Sequence, residues 1–569
     1  MTRTHQGDST QDTSKEELHR RLNRHFRPGV HPDNVLAMIP HPGFGYRTER
    51  HGDMLVERDV AIPTRHGTLY ADIFRPVDAT DVPVIVGYAP FGKHPHIDIE
   101  AGFAGAEIPL DELSEFVPWE QFDPVVWTGH GYALAYVDAV GNWFSEGEAT
   151  FFTPDEAEAG YDIVEWIAQR DWCSGSVGWG GVSYYAMTAW SVAALQPPHL
   201  KAIVPWDAAS DVYREAYLKG GIPAFPFIHF WMMLTGVGLG RIEDMEAGMR
   251  EHPTFDEYWA CRVANWSQVK VPTYAVSEFS NDLHLRGTIE AWKGIASEQK
   301  FLELRGDKEW QGFYEPESQA RIKAFFDRFL KGENNQVDSW PRVRIAVRTA
   351  GDEWEFREEE NWPLPDVRYR TLWLDANTQE LCDERPAEIS TLSYDSEDPN
   401  GSAAFNITFD RRVEMTGNAK LRVWLSALGS NDADVFVGVE KLDADGARVP
   451  FVFSQRFNDG PLGFGWLRAS HRHLDLQRSR EEQPWHTHEA REWLVHGTPV
   501  PLDIEIWPNS VVFEPGETLQ IIVKGTPIRR YQGPSEIVFA PLHNAGSHVL
   551  HTGGDFDSYL YMPVVDRAG

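Results

Sequence analysis

The sequence predicts an α/β region followed by a separate all-β region, and three observations carry that expectation. Short, continuous apolar runs such as VPVIVGYAP, YALAYVDAVG and LKAIVPWDA alternate with stretches of helical periodicity such as AEAGYDIVEWIAQRDW, the pattern of βαβ units around a parallel sheet buried on both faces. After about residue 340 the helical periods stop, and short strands separated by turn residues take over (AKLRVWLSAL, DADVFVGVEKL, VPLDIEIWP, TLQIIVKG), as in a jelly roll or sandwich. Between the two, GGIPAFPFIHFWMMLTGVGLG is too apolar and aromatic for a simple crossover.

Taken in order, residues 1–50 read as an N-terminal arm with a short helix in SKEELHRRLNRHF and Pro- and Gly-broken loop after it. The α/β domain is assigned to 51–208 and 269–335. It starts with MLVERDVAI and TLYADIFRP, two strands joined by PTRHG, and ends with the strands VPTYAVSEF and QKFLELRG. Residues 209–268 are expected to form a helical cap over the C-terminal edge of the sheet, where inserted segments supply substrate walls. Residues 340–569 are expected to form a jelly-roll (galactose-binding-like) domain that closes the pocket and builds an oligomer interface.

Composition narrows the function classes. The 86 acidic residues against 52 basic ones give a net charge of -34, which repels nucleic acid and anionic membrane. No run approaches the ~20 apolar residues of a membrane span, and the polar N-terminus has no apolar signal core. Cys173, Cys261 and Cys382 are widely spaced, which argues against a disulfide framework and a thiolate metal site. A cytoplasmic location, no cofactor and no metal are therefore expected.

The sharpest local signal is Gly178-Trp-Gly-Gly-Val-Ser-Tyr-Tyr-Ala186. A buried strand ends, Ser183 follows, and a helix begins. Such an elbow lifts a serine hydroxyl above the sheet and aims a helix N-terminus at the reacting centre. Gly181 and Ser183 fit G-x-S-x-G, whereas the last glycine position holds Tyr185. The prediction becomes an α/β-hydrolase fold with a helical cap and a C-terminal jelly roll. The Tyr184 N–H is the first oxyanion donor, and the loop around Tyr88–Lys93 should supply the second.

Several stretches resemble the CocE/NonD hydrolases, relatives of X-prolyl dipeptidyl peptidases and α-amino acid ester hydrolases. They are WCSGSVGWGGVSYYAMTAW, SNDLHLRGTIEAW, AFFDRFLKG, GWLRASHR and VVFEPGETLQIIVKG, in the family's order from about residue 54 onward. The resemblance implies Ser183 as nucleophile and Asp282 as the acid, with Asn281 as the alternative under a one-residue shift. Asp138, Gly141, Ser145 and Gly147 are similar to a turn-forming stretch whose arginine is here Val140.

Two departures stand out. Where the family places an oxyanion tyrosine, the chain has Phe91, leaving Tyr88 or His94 as substitutes. Where it places its histidine, the chain reads FLELRGDKEWQGFY, and no histidine occurs between Leu285 and Ser470. His284 is the first choice of base, since a neutral imidazole on that loop suits proton abstraction from a serine. With Asp282 only two residues away, Asp207 or Asp211 could orient it instead. His94 and His96 could polarise a carbonyl or contact substrate, His229 reads as a core residue or a pocket-lining one, and His471 as structural. Glu309 and Asp307 lie near the missing histidine, where a carboxylate could act as base only if burial raised its pKa, and Glu309 otherwise reads as a surface residue.

The expected function is hydrolysis of an ester, amide or related acyl bond of a small molecule through an acyl-Ser183 intermediate. Two alternatives remain open: a lyase, isomerase or acyltransferase step on the same fold, or a non-catalytic binding protein.

Overall fold

The computed structural model describes residues 17–39, 43–78, 80–95, 97, 99–351, 353–529 and 538–566. Of the helix expected over 14–26, residues 14–16 lie outside these residues, as does His96; 17–21 are helical, and the chain turns at 22–23 into the short strand Phe26–Pro28.

Eight strands build the α/β sheet: β1 (Met54–Thr64), β2 (Gly67–Pro76), β3 (Val82–Ala89), β4 (Ala133–Asp138), β5 (Cys173–Val182), β6 (Leu200–Trp206), β7 (Thr273–Glu278) and β8 (Lys300–Arg305). Their order is β1-β2-β4-β3-β5-β6-β7-β8, with β2 antiparallel to its neighbours and every pair from β4 onward parallel. The apolar runs are buried along their whole length in β3, β4 and β7, because helices cover both faces. α1 (Pro154–Ala168), α2 (Tyr184–Ala194) and α4 (Leu285–Gly294) pack Ile163, Ala189 and Ile289 on one face. On the other, α5 (Glu309–Tyr314) and α6 (Pro316–Leu330) bring Phe313 and Phe326 against Phe122 and Trp206.

Between β6 and β7 the chain forms a five-residue π turn (Tyr213–Tyr217), two short paired strands, the helix α3 (Phe225–Thr235) and two further short helices, Met245–Glu251 and Glu257–Ala260. Its helical content is thus distributed over short pieces. No helix of the described residues is long and apolar enough to cross a membrane.

From Val343 to Val565 the structure is all-β. Val343–Ala350 continues the α/β sheet beside β8 and touches Val511 through Arg348. The long strand Val413–Leu428 pairs antiparallel with Val500–Phe513, and Asp434–Leu442 lies between Gly463–Arg468 and Thr518–Lys524. Leu421, Val437, Ile504 and Leu560 share the core of this region.

The two regions meet through charged and aromatic contacts. Arg286 of α4 donates to Glu505 at 2.9 Å, and Arg214 donates to the carbonyls of His486 and Thr487, each at 3.1 Å. The short strands Phe451–Phe453 and Phe457–Gly460 are joined at a tight turn in which Ser454 (φ 47°) and Gln455 (φ 70°) are both left-handed. The Ser454 N–H donates to the Ser280 carbonyl at 3.1 Å, fastening this turn to the loop that follows β7.

Candidate active site

The site begins with a strained serine. Ser183, between β5 and α2, has φ 57° and ψ -117°, a conformation that costs a non-glycine residue about 1–3 kcal/mol and persists only where its surroundings enforce it. Here the Ser183 N–H donates to the Trp206 carbonyl at 3.0 Å, and Met187 N–H to the Ser183 carbonyl at 2.8 Å. Gly181 has φ 134°, and a Cβ there would meet Gln121 Nε2 at 2.3 Å and Tyr185 Cβ at 2.7 Å. That close approach explains how the elbow accepts a tyrosine in place of its final glycine. As the first residue of α2, Tyr184 has an N–H with no intrahelical acceptor.

Ser183 Oγ lies 3.3 Å from His284 Nε2. His284 caps the start of α4, after the β7 strand end, and is 1% exposed. Its other nitrogen, Nδ1, faces Glu309 Oε1 at 3.6 Å. Glu309 is the first residue of α5, just beyond β8, and is fully buried. The expectation of a surface glutamate is thereby corrected: α5 turns its first residue inward, under the elbow. The strand ends have exchanged contents, with histidine after β7 and carboxylate after β8.

Asp282 is placed otherwise than expected. Its backbone carbonyl accepts from Lys219 Nζ, and its carboxylate lies 3.5 Å from the same ammonium. Lys219 also sits 4.4 Å over the Trp466 ring of the all-β region. Asp282 therefore anchors its loop on a buried cation, not on the histidine. Asn281 is the residue of the pair that reaches the acid: its Nδ2 donates to Glu309 Oε2 at 3.1 Å, and its Oδ1 accepts from His284 N–H at 2.9 Å. Asp211 pairs with Arg214, and Asp207 is buried with Ser277 and Glu278 as partners. His229 is an exposed residue bonded to Glu246 at 2.7 Å, not a core one.

The other expected oxyanion residues separate. Phe91 and Tyr184 line the pocket, while the Tyr184 hydroxyl donates to Glu156 at 2.8 Å. The Tyr88 hydroxyl accepts from Val140 N–H at 3.2 Å, and its ring packs on Trp179 beneath the sheet end. His94 belongs to a buried charge cluster, 3.0 Å from Lys93 Nζ and 3.4 Å from Asp72. Val140 lies in a turn, as expected, and is also buried in the core. His471 is fully buried and bonded to His488 at 3.1 Å.

Above Ser183 opens a pocket lined mainly by apolar and aromatic side chains with a few polar groups, the composition of small-molecule sites. Its walls are Phe91, Phe103, Trp119, Phe152 and Trp310 from the α/β region, and Val212, Phe227, Ile228 and Trp231 from the segment before β7. The polar residues on its lining are Ser183, His284, Tyr184, Tyr217, Glu120 and Gln455. Glu120 is left-handed (φ 63°), its carbonyl accepts the Val182 N–H at 3.1 Å, and its Oε1 accepts from Trp310 Nε1 at 3.1 Å.

Beneath His284 lie four buried carboxyls, Glu120, Asp207, Glu278 and Glu309. Burial and the neighbouring acids Asp207 and Glu120 push Glu309 well above the ordinary carboxylate range, against hydrogen bonds from Gln455 and Asn281. Burial likewise raises Glu120 and Glu278, and lifts Asp207 to about 6. His284 is held neutral, down to about 3, by burial and by the Lys219 cation. No group of three or more His, Cys, Asp or Glu side chains suited to a metal ion occurs among the described residues. Sequence reasoning missed Glu309 as a neighbour of His284, and also Lys219, Glu120 and Gln455; Glu309's position beyond β8, where a histidine was sought, was the available signal.

Residues 67–251 match the family described as X-Pro dipeptidyl-peptidase (S15 family), and 335–561 match the X-Pro dipeptidyl-peptidase C-terminal non-catalytic domain. The chain is 25% identical to cocaine esterase of Rhodococcus sp. (strain MB1 Bresler), over 91% of this chain and 100% of that one. A crystal structure of a CocE/NonD family hydrolase from Staphylococcus aureus is 35% identical with a TM-score of 0.88, covering 95% of this chain and 99% of that one. An α-amino acid ester hydrolase shares the fold, with a TM-score of 0.70 at 16% identity over 99% of this chain and 100% of that one. With a strained elbow serine on an α/β sheet, an all-β region behind it, and a full-length relative above 30% identity, the chain belongs to the CocE/NonD family of hydrolases.

Proposed function

We propose that this hydrolase is a serine esterase for small esters with apolar, uncharged acyl groups, acting through an acyl-Ser183 intermediate. The observation that carries this reading is the 3.3 Å approach of Ser183 Oγ to His284 Nε2 at the floor of an aromatic pocket.

In this reading His284 Nε2 takes the Ser183 proton as Oγ attacks the ester carbonyl, and returns it to the leaving alkoxide. Glu309, once ionised, accepts from Nδ1–H and stabilises the imidazolium, closing the 3.6 Å gap as charge develops. It offsets two features that oppose that cation, burial and Lys219. The Tyr184 N–H is one oxyanion donor. Phe91 brings no hydroxyl, so the second donor is a backbone N–H of the loop after β3. Water then attacks the acyl-enzyme by the same path reversed. Residues 209–268 act as a cap that walls the pocket, and the all-β region is a jelly roll that closes its side. Favouring uncharged acyl groups over anionic ones follows from walls of aromatic and aliphatic side chains, with Glu120 among them, that offer an anion no partner.

A fluorophosphonate probe should label the wild type and fail on Ser183→Ala. Turnover of p-nitrophenyl benzoate should fall by at least about 10²-fold in His284→Ala and in Glu309→Gln. Equal labelling of wild type and Ser183→Ala would overturn the assignment.

A further inference from the structure

We propose that Asn281 is the positioning residue of this site, one side chain that fixes the loop bearing the base and orients the acid at the same time. The inference rests on the reading of Glu309 as the acid.

All the hydrogen-bonding capacity of Asn281 is directed at the site. Oδ1 accepts from Leu283 N–H at 3.0 Å and His284 N–H at 2.9 Å, setting the backbone of the histidine as α4 begins. Nδ2 donates to Glu309 Oε2 at 3.1 Å and also bonds the Asp207 carboxyl. With Oε2 occupied, Glu309 is left with Oε1 facing His284 Nδ1. Asn281 is 1% exposed and does not line the substrate pocket. When base and acid come from separate strand ends, each needs its own support. Here the two supports are one amide.

The residue type matters. An aspartate would keep both acceptor contacts to the loop. It would lose the donor to Glu309 and add another carboxyl to Asp207, Glu278, Glu120 and the nearby Asp307. Lys219, the cation that faces His284 from the loop side, is already engaged by Asp282. The remaining donor on Glu309 is Gln455, from the turn of the all-β region. Losing the Asn281 donor destabilises the ionised acid, so a higher pH is needed to form it.

The test is Asn281→Asp, alone and in the Glu309→Gln background, assayed on p-nitrophenyl benzoate across pH with thermal melts in parallel. In the single variant kcat should fall about 10- to 100-fold with KM within about twofold, and the acidic limb of kcat/KM should move up by about one pH unit. In the Glu309→Gln background the same change should cost less than about threefold. An unmoved acidic limb, or an undiminished loss in that background, would refute the role. Should Asn281→Asp melt below the assay temperature, Asn281→Ser keeps a loop acceptor without added charge, and the same limb shift is required of it. Wild-type turnover by Glu309→Gln alone would instead refute the acid assignment, a separate result.

Discussion

At the scale of single residues, protons decide the behaviour of this site. In the proposed mechanism the competent form needs an ionised Glu309 beside a neutral His284, with Nε2 free to accept the serine proton. Burial and the neighbouring carboxyls resist that ionisation. Raising a carboxylate's pKa moves the onset of activity to higher pH, so the acidic limb of kcat/KM should lie clearly above the ordinary carboxylate value of ~4.3. A pH profile flat down to pH 4 would contradict the four-carboxyl arrangement. Glu120 offers a second check. Burial pushes its carboxyl well above the ordinary carboxylate range, so glutamine, of similar shape and uncharged, is a close replacement, and Glu120→Gln should keep kcat/KM within about threefold. Asp282 behaves oppositely to an orienting acid. Asp282→Asn leaves the Lys219 ammonium buried without its carboxylate, so melting should suffer by about 3–5 kcal/mol at most, while kcat at a temperature where the fold is intact should change less than tenfold.

At the scale of elements, the turn at Ser454–Gln455 sets stability against function. In the three-residue loop 454–456 the first two positions are left-handed, a geometry for which Asn-Gly is better suited than serine and glutamine at φ 47° and 70°. Replacing the pair by Asn-Gly should raise stability by about 1–2 kcal/mol in a denaturant melt, while lowering kcat through the lost Gln455 contact to Glu309. A variant both more stable and fully active would show that Gln455 is dispensable. Elements of this kind also mark the limit of what the sequence discloses. The alternation of buried strands and helices was legible because periodicity is local, and so was the elbow, because its small residues are contiguous. His284 was within reach for the same reason, lying one turn from a recognisable loop. Glu309 was not, since nothing in GDKEWQGFY states that α5 turns its first residue inward. Asp282 misled because a carboxylate's partner is chosen in space, and Lys219 comes from a strand far away in the chain.

At the scale of the whole molecule, the α/β sheet does not stand alone. Lys219, Arg214 and Arg286 are buried charges whose partners or aromatic cover include Trp466, the carbonyls of His486 and Thr487, and Glu505. Deleting 343–569 would leave Lys219 with Asp282, Arg214 with Asp211 and Arg286 with Glu215, but it would remove Phe464, Trp466 and Trp507 from the core they share with the α/β region and expose that apolar surface. The truncated chain is therefore expected to be insoluble or unfolded by circular dichroism. The turn at Ser454–Gln455 adds a temporal meaning to this dependence. A ribosome completes the elbow serine, the histidine and the acid long before the turn that braces them, and the strand Val413–Leu428 behind that turn finds one of its partners only at Tyr559–Val565. During synthesis the chain thus carries its reactive groups before the turn that braces them has been made.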